Sequence, residues 1–242
     1  MSGLSDEGDF EAFKSEVIRL KDNLYKWKPF NRAKIRYREL PNEKISLGDG
    51  SERMCKIFQH PSGVNIQIPI SVYLNPDYHL DVDLISAALD KFPGNIFNHT
   101  RTITLNDFLN PDDAHWKKFY KDFTQSYATG GTGAVDFYKS NINKTSAAFA
   151  IVEKLAHECG HNLDKMETLT IRRTIGLSDS QVWKNAVASD LEATGEKSVS
   201  DYAKNSLSED FADSVAFYIV KPKFLASKFP ARYHVLKRIL AR

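Results

Sequence analysis

Residues 157–161 read His-Glu-Cys-Gly-His, an HExxH motif in which two potential metal ligands stand four residues apart. In a helix, residues four apart lie on the same face, so the imidazoles of His157 and His161 can point at one metal ion. Glu158 lies one residue on, about 100° around the helix, and can reach a water molecule at that ion. Short motifs also occur by chance, and the alternative is a buried pair of histidines that hydrogen-bond to their neighbours.

A catalytic zinc site uses three protein ligands and keeps one position open for water. Glu167 stands six residues after His161, where a metzincin has its third histidine, so the spacing excludes that class. A carboxylate from a later helix is the other source of a third ligand. Glu209, with Asp213 four residues on, fits the E-x-x-x-D arrangement of gluzincins. In that assignment Glu209 binds the metal and Asp213 orients a ligand imidazole from the far side of the ring.

The alternative for Glu209 and Asp213 is an exposed acidic helix start, where the helix dipole favours negative charge. Much of the same segment is apolar, however, through Phe211, Ala212, Val215, Ala216 and Phe217. A carboxylate on a helix that is otherwise largely apolar needs a partner, and a metal ion would supply one.

Taken together, these residues resemble the zinc metallopeptidase family of anthrax lethal factor and the Pro-Pro endopeptidases. That family has HExGH followed by a small residue, an apolar residue and Asp, and here Asn162, Leu163 and Asp164 follow the motif. It also has a tyrosine seven residues before the metal-binding glutamate, where this chain has Tyr202. The resemblance is specific over 156–164 and 202–217, and weak elsewhere.

The resemblance implies a zincin-like fold, one Zn²⁺ per chain and hydrolysis of peptide bonds. Glu158 is then the general base, and Tyr202 donates a hydrogen bond to the oxyanion; without the family pattern, Tyr202 would be read as a surface or packing residue. Asp213 is expected to orient a ligand imidazole, and Asp164 is expected either to anchor the end of the active-site helix or to support a ligand through a hydrogen bond. The chain departs from the family at two positions, because Asp210 replaces an aromatic residue and Asp213 replaces a glutamate of longer reach.

A glycine-rich segment precedes a strand-like run over 134–138. Glycine permits close backbone approach, and the segment lacks a nucleotide-binding fingerprint. By resemblance it is the active-site edge strand, so we expect a peptide substrate to bind extended beside Ala134–Tyr138. The predicted substrate-binding residues are Gly130, Gly131, Thr132, Gly133 and Ala134.

Hydrophobic periodicity predicts strands mainly in the first half of the chain and helices mainly in the second, which indicates an α+β fold with a small mixed sheet. Strands are expected over 33–38, 54–59, 64–74 and 95–105. Pro69 favours an edge strand or a bulge for the third of these. Helices are expected over 9–25, 81–91, 116–123, 146–165, 181–193, 208–220 and 232–241. We expect one domain over 1–242, with an N-terminal α/β lobe to about residue 165 and a mainly helical C-terminal lobe over about 166–242.

Composition argues against several other classes of protein. The net charge is +2 without a long basic run, so nothing indicates a nucleic-acid partner. Two cysteines, Cys55 and Cys159, are too few for a disulfide framework, and Cys159 is expected to pack in the core. No apolar run approaches the roughly 20 residues of a membrane span. The acidic, polar residues 1–10 are not expected to be a Sec-type signal peptide.

The sequence therefore predicts a monomeric zinc endopeptidase that acts on a protein substrate. The family resemblance further suggests a secreted bacterial effector or toxin that leaves the cell by a specialised route. Three alternatives stay open: a catalytically silent zinc-binding fold that serves as a partner-binding module, a different zinc hydrolase such as a deformylase or an amidase, and a toxin whose potency lies in targeting. Glu158 and Tyr202 argue against the first alternative, and the spacing of Tyr202 and Glu209 argues against the second.

Overall fold

The computed structural model describes residues 37–75, 82–118, 125–139, 147–170 and 176–241. The helix predicted over 9–25 lies outside these residues, as do most of the strand predicted over 33–38 and most of the helix predicted over 116–123. Within the described part of the chain, no helix is both long enough and apolar enough to cross a membrane.

Six strands of the described residues form one mixed sheet in the order β1-β2-β3-β4-β6-β5. They are β1 Arg38–Ser46, β2 Glu52–Gln59, β3 Asn65–Pro69, β4 Thr102–Leu105, β5 Ala128–Gly131 and β6 Ala134–Phe137. The first three strands are antiparallel neighbours, and β4 is parallel to both β3 and β6. β5 is antiparallel to β6 and lies at the edge of the sheet. The predicted small mixed sheet is confirmed.

The interpretation of Pro69 as a sign of an edge strand is wrong. β3 lies inside the sheet, between β2 and β4. Its pairing with β4 ends at Gln67, so the ladder on that side does not need the amide hydrogen that Pro69 lacks. The chain then turns directly into a short helix, α1, over Ile70–Tyr73, which is why the strand predicted over 64–74 ends early.

The strand predicted over 95–105 is correct only in its last part. β4 covers Thr102–Leu105, whereas Gly94–Asn98 forms a 3₁₀ helix. Ile96 is fully buried in that 3₁₀ helix, so its side chain joins the core without forming a strand. A short apolar run does not by itself distinguish the two conformations.

In the second half of the chain the described helices follow the predicted segments closely, except that the sequence predicts no helix over Pro222–Lys228. The described helices are α1, α2 Val82–Leu89, α3 Asp113–Trp116, α4 Ala147–Thr170, α5 Gln181–Thr194, α6 Leu207–Val220, α7 Pro222–Lys228 and α8 Pro230–Leu240. Local signals set the ends of α5, which begins after the capping hydroxyl of Ser180 and ends at Gly195 in a left-handed conformation. The Ser206 hydroxyl caps α6 by accepting a hydrogen bond from the amide of Glu209 at 3.1 Å. The predicted α+β class is confirmed.

One hydrophobic core joins the sheet to the helices that carry the candidate ligands. Its members include Ile66, Ile103 and Val135 of the sheet, Leu155 and Cys159 of α4, and Phe211 and Val215 of α6. Both cysteines are free and fully buried, which agrees with the expected packing role of Cys159. The core contains residues from both sides of position 165, and the division into two lobes stays a prediction.

A buried charged cluster connects α5, α6 and α8. The Arg232 side chain is completely buried, and it donates from Nε to Asp210 at 3.0 Å and from Nη1 to Asp190 at 3.3 Å. Asp190 also accepts hydrogen bonds from the backbone amides of Ala231 and Arg232, at 2.8 and 3.1 Å. Because Asp210 directly follows Glu209, the cluster fixes the rotation of α6 behind the candidate site. Arg232 also gives Asp210 a partner at the position where the resembled family has an aromatic residue.

Candidate metal centre

Helix α4 places both histidines of the HExxH motif on one face, as predicted. The ring centroids of His157 and His161 are 4.7 Å apart, and their Nε2 atoms are separated by 3.1 Å. Both nitrogens therefore face the same point in front of the helix. Glu158 lies between them in sequence and is 6% exposed.

Helix α6 brings Glu209 to the two histidines from 48 residues further along the chain than His161. Glu209 Oε2 lies 3.2 Å from His157 Nε2 and 3.3 Å from His161 Nε2. The Glu209 and Asp213 side chains are only 16% and 14% exposed. The alternative of an exposed acidic helix start is therefore wrong for both residues.

The three side chains could hold a metal ion. In a tetrahedral site with metal–ligand bonds of about 2.0–2.1 Å, neighbouring ligand atoms are about 3.3–3.4 Å apart. The separations of 3.1, 3.2 and 3.3 Å among the three ligand atoms of His157, His161 and Glu209 are close to that edge length. Glu209 Oε2 is also buried without a hydrogen bond of good geometry to either ring. A bound cation would compensate the buried negative charge of this oxygen and would be coordinated by the two imidazole nitrogens that face it.

Gly160 explains how α6 approaches the motif so closely. A Cβ atom at this position would lie 2.9 Å from Cα of Ala212, which is closer than real Cβ contacts allow. Any side chain at position 160 would push α6, and Glu209 with it, away from α4. The close packing of α6 against Gly160 accounts for a glycine inside α4 despite its low helix propensity.

Asp213 contacts His157 from the side opposite the candidate ligand atom. His157 Nδ1 and Asp213 Oδ1 are 2.7 Å apart, so the shorter side chain of aspartate does reach the ring. Asp213 Oδ2 accepts a hydrogen bond from the Ser200 hydroxyl, and Ser200 Oγ in turn accepts one from the amide of Ala203 at 2.9 Å. With its proton held at Nδ1, neutral His157 presents the lone pair of Nε2 to the centre.

Electrostatics keep Glu209 and Asp213 anionic. Burial by itself would raise the pKa of Glu209, but its contacts with His157 and His161 lower that pKa to about 2. Burial likewise opposes ionisation of Asp213, yet the His157 contact holds its pKa below the usual value. Burial disfavours a charged His157, while the hydrogen bond to Asp213 and the contact with Glu209 raise its pKa to about 10. In the metal-free protein this ring is therefore protonated at neutral pH, and metal binding displaces the proton from Nε2. The site thus supplies the negative charge that a divalent cation needs.

His161 has its own support, which runs through a serine that the sequence analysis did not identify. Ser208 Oγ lies 3.3 Å from His161 Nδ1 and 3.4 Å from Asp164 Oδ2. Asp164 is buried and accepts hydrogen bonds from the amide and the hydroxyl of Ser178, each at 2.8 Å. The predicted role of Asp164 beside a ligand is therefore carried out through Ser208. No sequence signal marks Ser200 or Ser208. The Ser200 contact depends on how the segment before Tyr202 folds against α6, and the Ser208 contact depends on how α6 crosses α4.

Tyr202 lies at the rim of the centre, in a 3₁₀ helix over Tyr202–Asn205. Its ring centroid is 5.8 Å from that of His157, and the side chain is 49% exposed. Lys154 Nζ lies 5.6 Å from the Tyr202 ring centroid. Tyr202 is thus beside the ligands with its ring open to solvent, a position from which its hydroxyl can meet a bound substrate.

The glycine-rich segment forms a hairpin along α4, and this corrects the expected place of the substrate. Ala134 begins β6, which pairs with β4 on one side and β5 on the other, so the strand over 134–138 has no free edge. Among the strands of the described residues, the free edge of the sheet at this hairpin belongs to β5, which contains Gly130 and Gly131. Thr132 and Gly133 form the turn, with φ of +53° and +89°, as in a type I′ hairpin. The three glycines therefore belong to an edge strand and its turn and do not simply precede a strand.

Two contacts hold this hairpin against the motif. A Cβ on Gly130 would lie 2.4 Å from the backbone oxygen of Glu158, so only glycine lets β5 approach α4 this closely. Asn162, which is fully buried, accepts a hydrogen bond from the amide of Gly133 at 3.2 Å and donates one to the carbonyl of Ala134 at 3.0 Å. Asn162, one helical turn after Glu158, thereby fixes the turn of the hairpin and the start of β6 against α4.

We expect Asp213→Asn to weaken metal binding by about 10-fold to 100-fold, the usual cost of losing the carboxylate partner of a ligating histidine. The amide lacks the negative charge that increases the basicity of the His157 ring. The measurement is a competition titration of metal against a chromophoric chelator. Asp179→Asn, on an exposed side chain, is the matched control. Equal metal affinity in Asp213→Asn and wild type would show that the Asp213 contact does not support the ligand.

Comparisons with known proteins leave the family of the chain unassigned. No model of a known protein family matches it, and no curated protein is significantly similar to it. Any functional assignment therefore depends on the chemistry and geometry of the residues around His157, His161 and Glu209.

Proposed function

We propose that the protein is a zinc-dependent endopeptidase of the gluzincin type with a zincin-like fold. The observation that carries the proposal is the convergence of His157, His161 and Glu209 within 3.3 Å of one another, with Glu158 on the same helix as the two histidines. Two imidazoles and one carboxylate at tetrahedral spacing are a typical catalytic zinc ligand set, which leaves one position for water. One Zn²⁺ per chain is expected.

Bound at this site, zinc would supply an acidified water and polarise the scissile carbonyl group. Glu158 accepts the proton of the attacking water and passes it to the leaving amine. Tyr202 donates a hydrogen bond to the developing oxyanion. Asp213, backed by Ser200, keeps His157 in the tautomer that presents Nε2 to the centre.

The substrate is proposed to bind as an extended strand against the free edge of β5. Gly130, Gly131 and the turn at Thr132 and Gly133 present backbone groups there without bulky side chains. Backbone hydrogen bonds to an added strand recognise a peptide regardless of its sequence, and nearby side chains then select among sequences. This replaces the earlier expectation of a substrate beside Ala134–Tyr138.

A catalytically silent zinc-binding module is the competing function. Structural zinc sites are normally closed by four protein ligands. Among the residues that the structure describes, the metal-compatible cluster has three members. A three-ligand cluster with a glutamate next to a ligand histidine favours catalysis. The protein is also proposed to act as a monomer. The family resemblance alone supports the proposed role as an exported bacterial effector or toxin.

The proposed function is tested by metal analysis together with cleavage of a diverse peptide library. The zinc-loaded protein should contain about one zinc per chain, cut internal peptide bonds, lose activity on chelation and regain it with zinc. His161→Ala, which removes a ligand, should lose both metal and cleavage. The proposal is overturned if the purified protein binds no transition metal, or if the zinc-loaded protein cleaves no peptide or protein.

Tyr202→Phe is expected to lower kcat and kcat/KM by the same factor, roughly 10² or more, with zinc content unchanged. The change removes only the hydroxyl, whose hydrogen bond is proposed to form in the transition state. Steady-state kinetics on a library-derived peptide measure both parameters. An increase in KM alone would instead make Tyr202 a substrate-binding residue. Tyr233→Phe, remote from the ligands on α8, serves as the control.

A further inference from the structure

Two lysines of α4 flank the HExxH motif, Lys154 before it and Lys165 after it. Taking about 100° per residue, Lys154, His157, Glu158, His161 and Lys165 all fall within an arc of about 100° on one helix face. The lysines are eleven residues apart, which corresponds to about 16 Å along the helix axis. The candidate ligands lie midway between them.

Each lysine lies beside a different element next to the metal centre. Lys154 Nζ lies 5.6 Å from the centroid of the Tyr202 ring. Lys165 Nζ lies beside β5, because a Cβ placed on Gly131 would be 2.9 Å from it. The space in front of the candidate ligands, between Tyr202 and β5, is called the cleft below. The two ammonium groups therefore stand beside the two elements proposed to contact a substrate.

Within the part of the chain that the structure describes, neither lysine ammonium group pairs with a carboxylate. Lys154 and Lys165 form no ion pair or hydrogen bond there, although Lys154 is close enough to Asp213 to contribute to its lowered pKa. Other lysines of the same part do pair with carboxylates, as Lys56 does with Glu39 and Lys221 with Glu153. The lysines beside the cleft are thus available for carboxylates that a substrate brings.

We infer that the cleft selects peptides with acidic side chains on both sides of the scissile bond. The inference rests on the proposed function and names its substrate class. An extended peptide advances about 3.3 Å per residue, so the span between the lysines corresponds to about five residues. With the metal ligands midway, the acidic residues are expected to be the third residue before and the third residue after the cleaved bond, which are about five steps apart.

The expected size of the preference for acidic residues depends on how exposed the ion pairs between the lysines and the substrate are. An ion pair at a partly exposed site changes affinity by up to about fivefold, and two separate pairs act nearly independently. We therefore expect kcat/KM to favour glutamate over glutamine by about threefold to fivefold at each end. Because solvent reaches both sites, the preference should shrink as the salt concentration rises.

The test uses the zinc-loaded protein and one cleavable peptide from the library, made with Glu, Gln or Lys as the third residue on either side of the cleaved bond. Wild type should prefer Glu to Gln at both positions. Lys154→Gln should remove the preference on one side only, and Lys165→Gln on the other side only. Lys165→Glu should favour Lys at the position that Lys165→Gln affects. Lys154→Arg, which keeps the charge, should retain the wild-type preference, and Lys237→Gln on α8 is the remote control.

The outcomes separate this inference from the proposed function. Cleavage of the Glu and Gln peptides at equal rates would overturn the acidic preference and leave the peptidase standing. Loss of preference on the same side in both lysine variants would also overturn it. If cleavage strictly required a free carboxyl terminus on the peptide, the lysines would bind that terminal carboxylate, as in an exopeptidase, and the inference would be overturned. If no peptide is cleaved at all, the proposed function and this inference fail together.

Discussion

Glu158→Gln is expected to abolish nearly all turnover while the protein keeps its metal and its fold. Glutamine has the same shape as glutamate but cannot accept the proton of the attacking water. General acid–base groups typically contribute 10²-fold to 10⁴-fold, so we expect kcat to fall by roughly 10³. Glu158 is next to a ligand but is not one of the three converging side chains. Zinc content and the thermal unfolding midpoint should therefore match those of wild type.

The measurement pairs single-turnover cleavage of a library-derived peptide with zinc analysis of the same sample. Glu192→Gln is the matched control, because Glu192 is an exposed glutamate on α5, away from the centre. Parallel loss of zinc and activity in Glu158→Gln would make Glu158 part of the metal-binding shell. Retained turnover would require a different proton acceptor and would contradict the assigned mechanism.

Arg232→Met is expected to cause the largest loss of stability among single changes at the helices behind the site. The substitution keeps much of the side-chain volume but leaves Asp190 and Asp210 as buried carboxylates without their cation. Removing one partner of a buried ion pair typically costs about 3–5 kcal/mol in the free energy of unfolding. For a chain of this size, that corresponds to a fall of roughly 6–20 °C in Tm.

Burial already raises the pKa of Asp210 to about 6, although the Arg232 guanidinium acts in the opposite direction. The double variant Arg232→Met, Asp210→Leu no longer carries the unpaired carboxylate of Asp210. It should therefore recover part of the stability that Arg232→Met loses. Chemical denaturation of the metal-free and zinc-loaded forms measures the changes, and the exposed Arg238→Met on the same helix is the control. A loss below about 1 kcal/mol in Arg232→Met would show that water or nearby polar groups satisfy the two carboxylates.

The contact between Arg232 and Asp210 also explains a position at which the chain departs from the family pattern. Asp210 stands where the resembled family has an aromatic residue, and on sequence grounds alone the charge has no explanation. In the structure, Asp210 receives a hydrogen bond from Arg232, which is itself fully buried. A buried ion pair therefore accounts for the charge at this position of α6, directly after Glu209.

The sequence by itself determined those features of the site that depend on helix geometry alone. His157 and His161 share a face because residues four apart on any helix do, and the same spacing connects Glu209 to Asp213. Local signals likewise determined where α5 and α6 begin, through the capping hydroxyls of Ser180 and Ser206. The α+β class also followed from local periodicity, because strand and helix patterns differ over a few residues.

Only the tertiary structure decided which strand is free and which polar side chains support the ligands. β5, not β6, is the sheet edge because the chain turns back at Thr132 and Gly133, and sheet order is a matter of long-range pairing. Ser208 meets His161 and Asn162 meets the hairpin through contacts between distant parts of the chain. Such contacts depend on how the helices cross and on the order of the strands in the sheet. Here they depend on the close approach of α6 to α4 that Gly160 permits. Short-range residue spacing does not encode them.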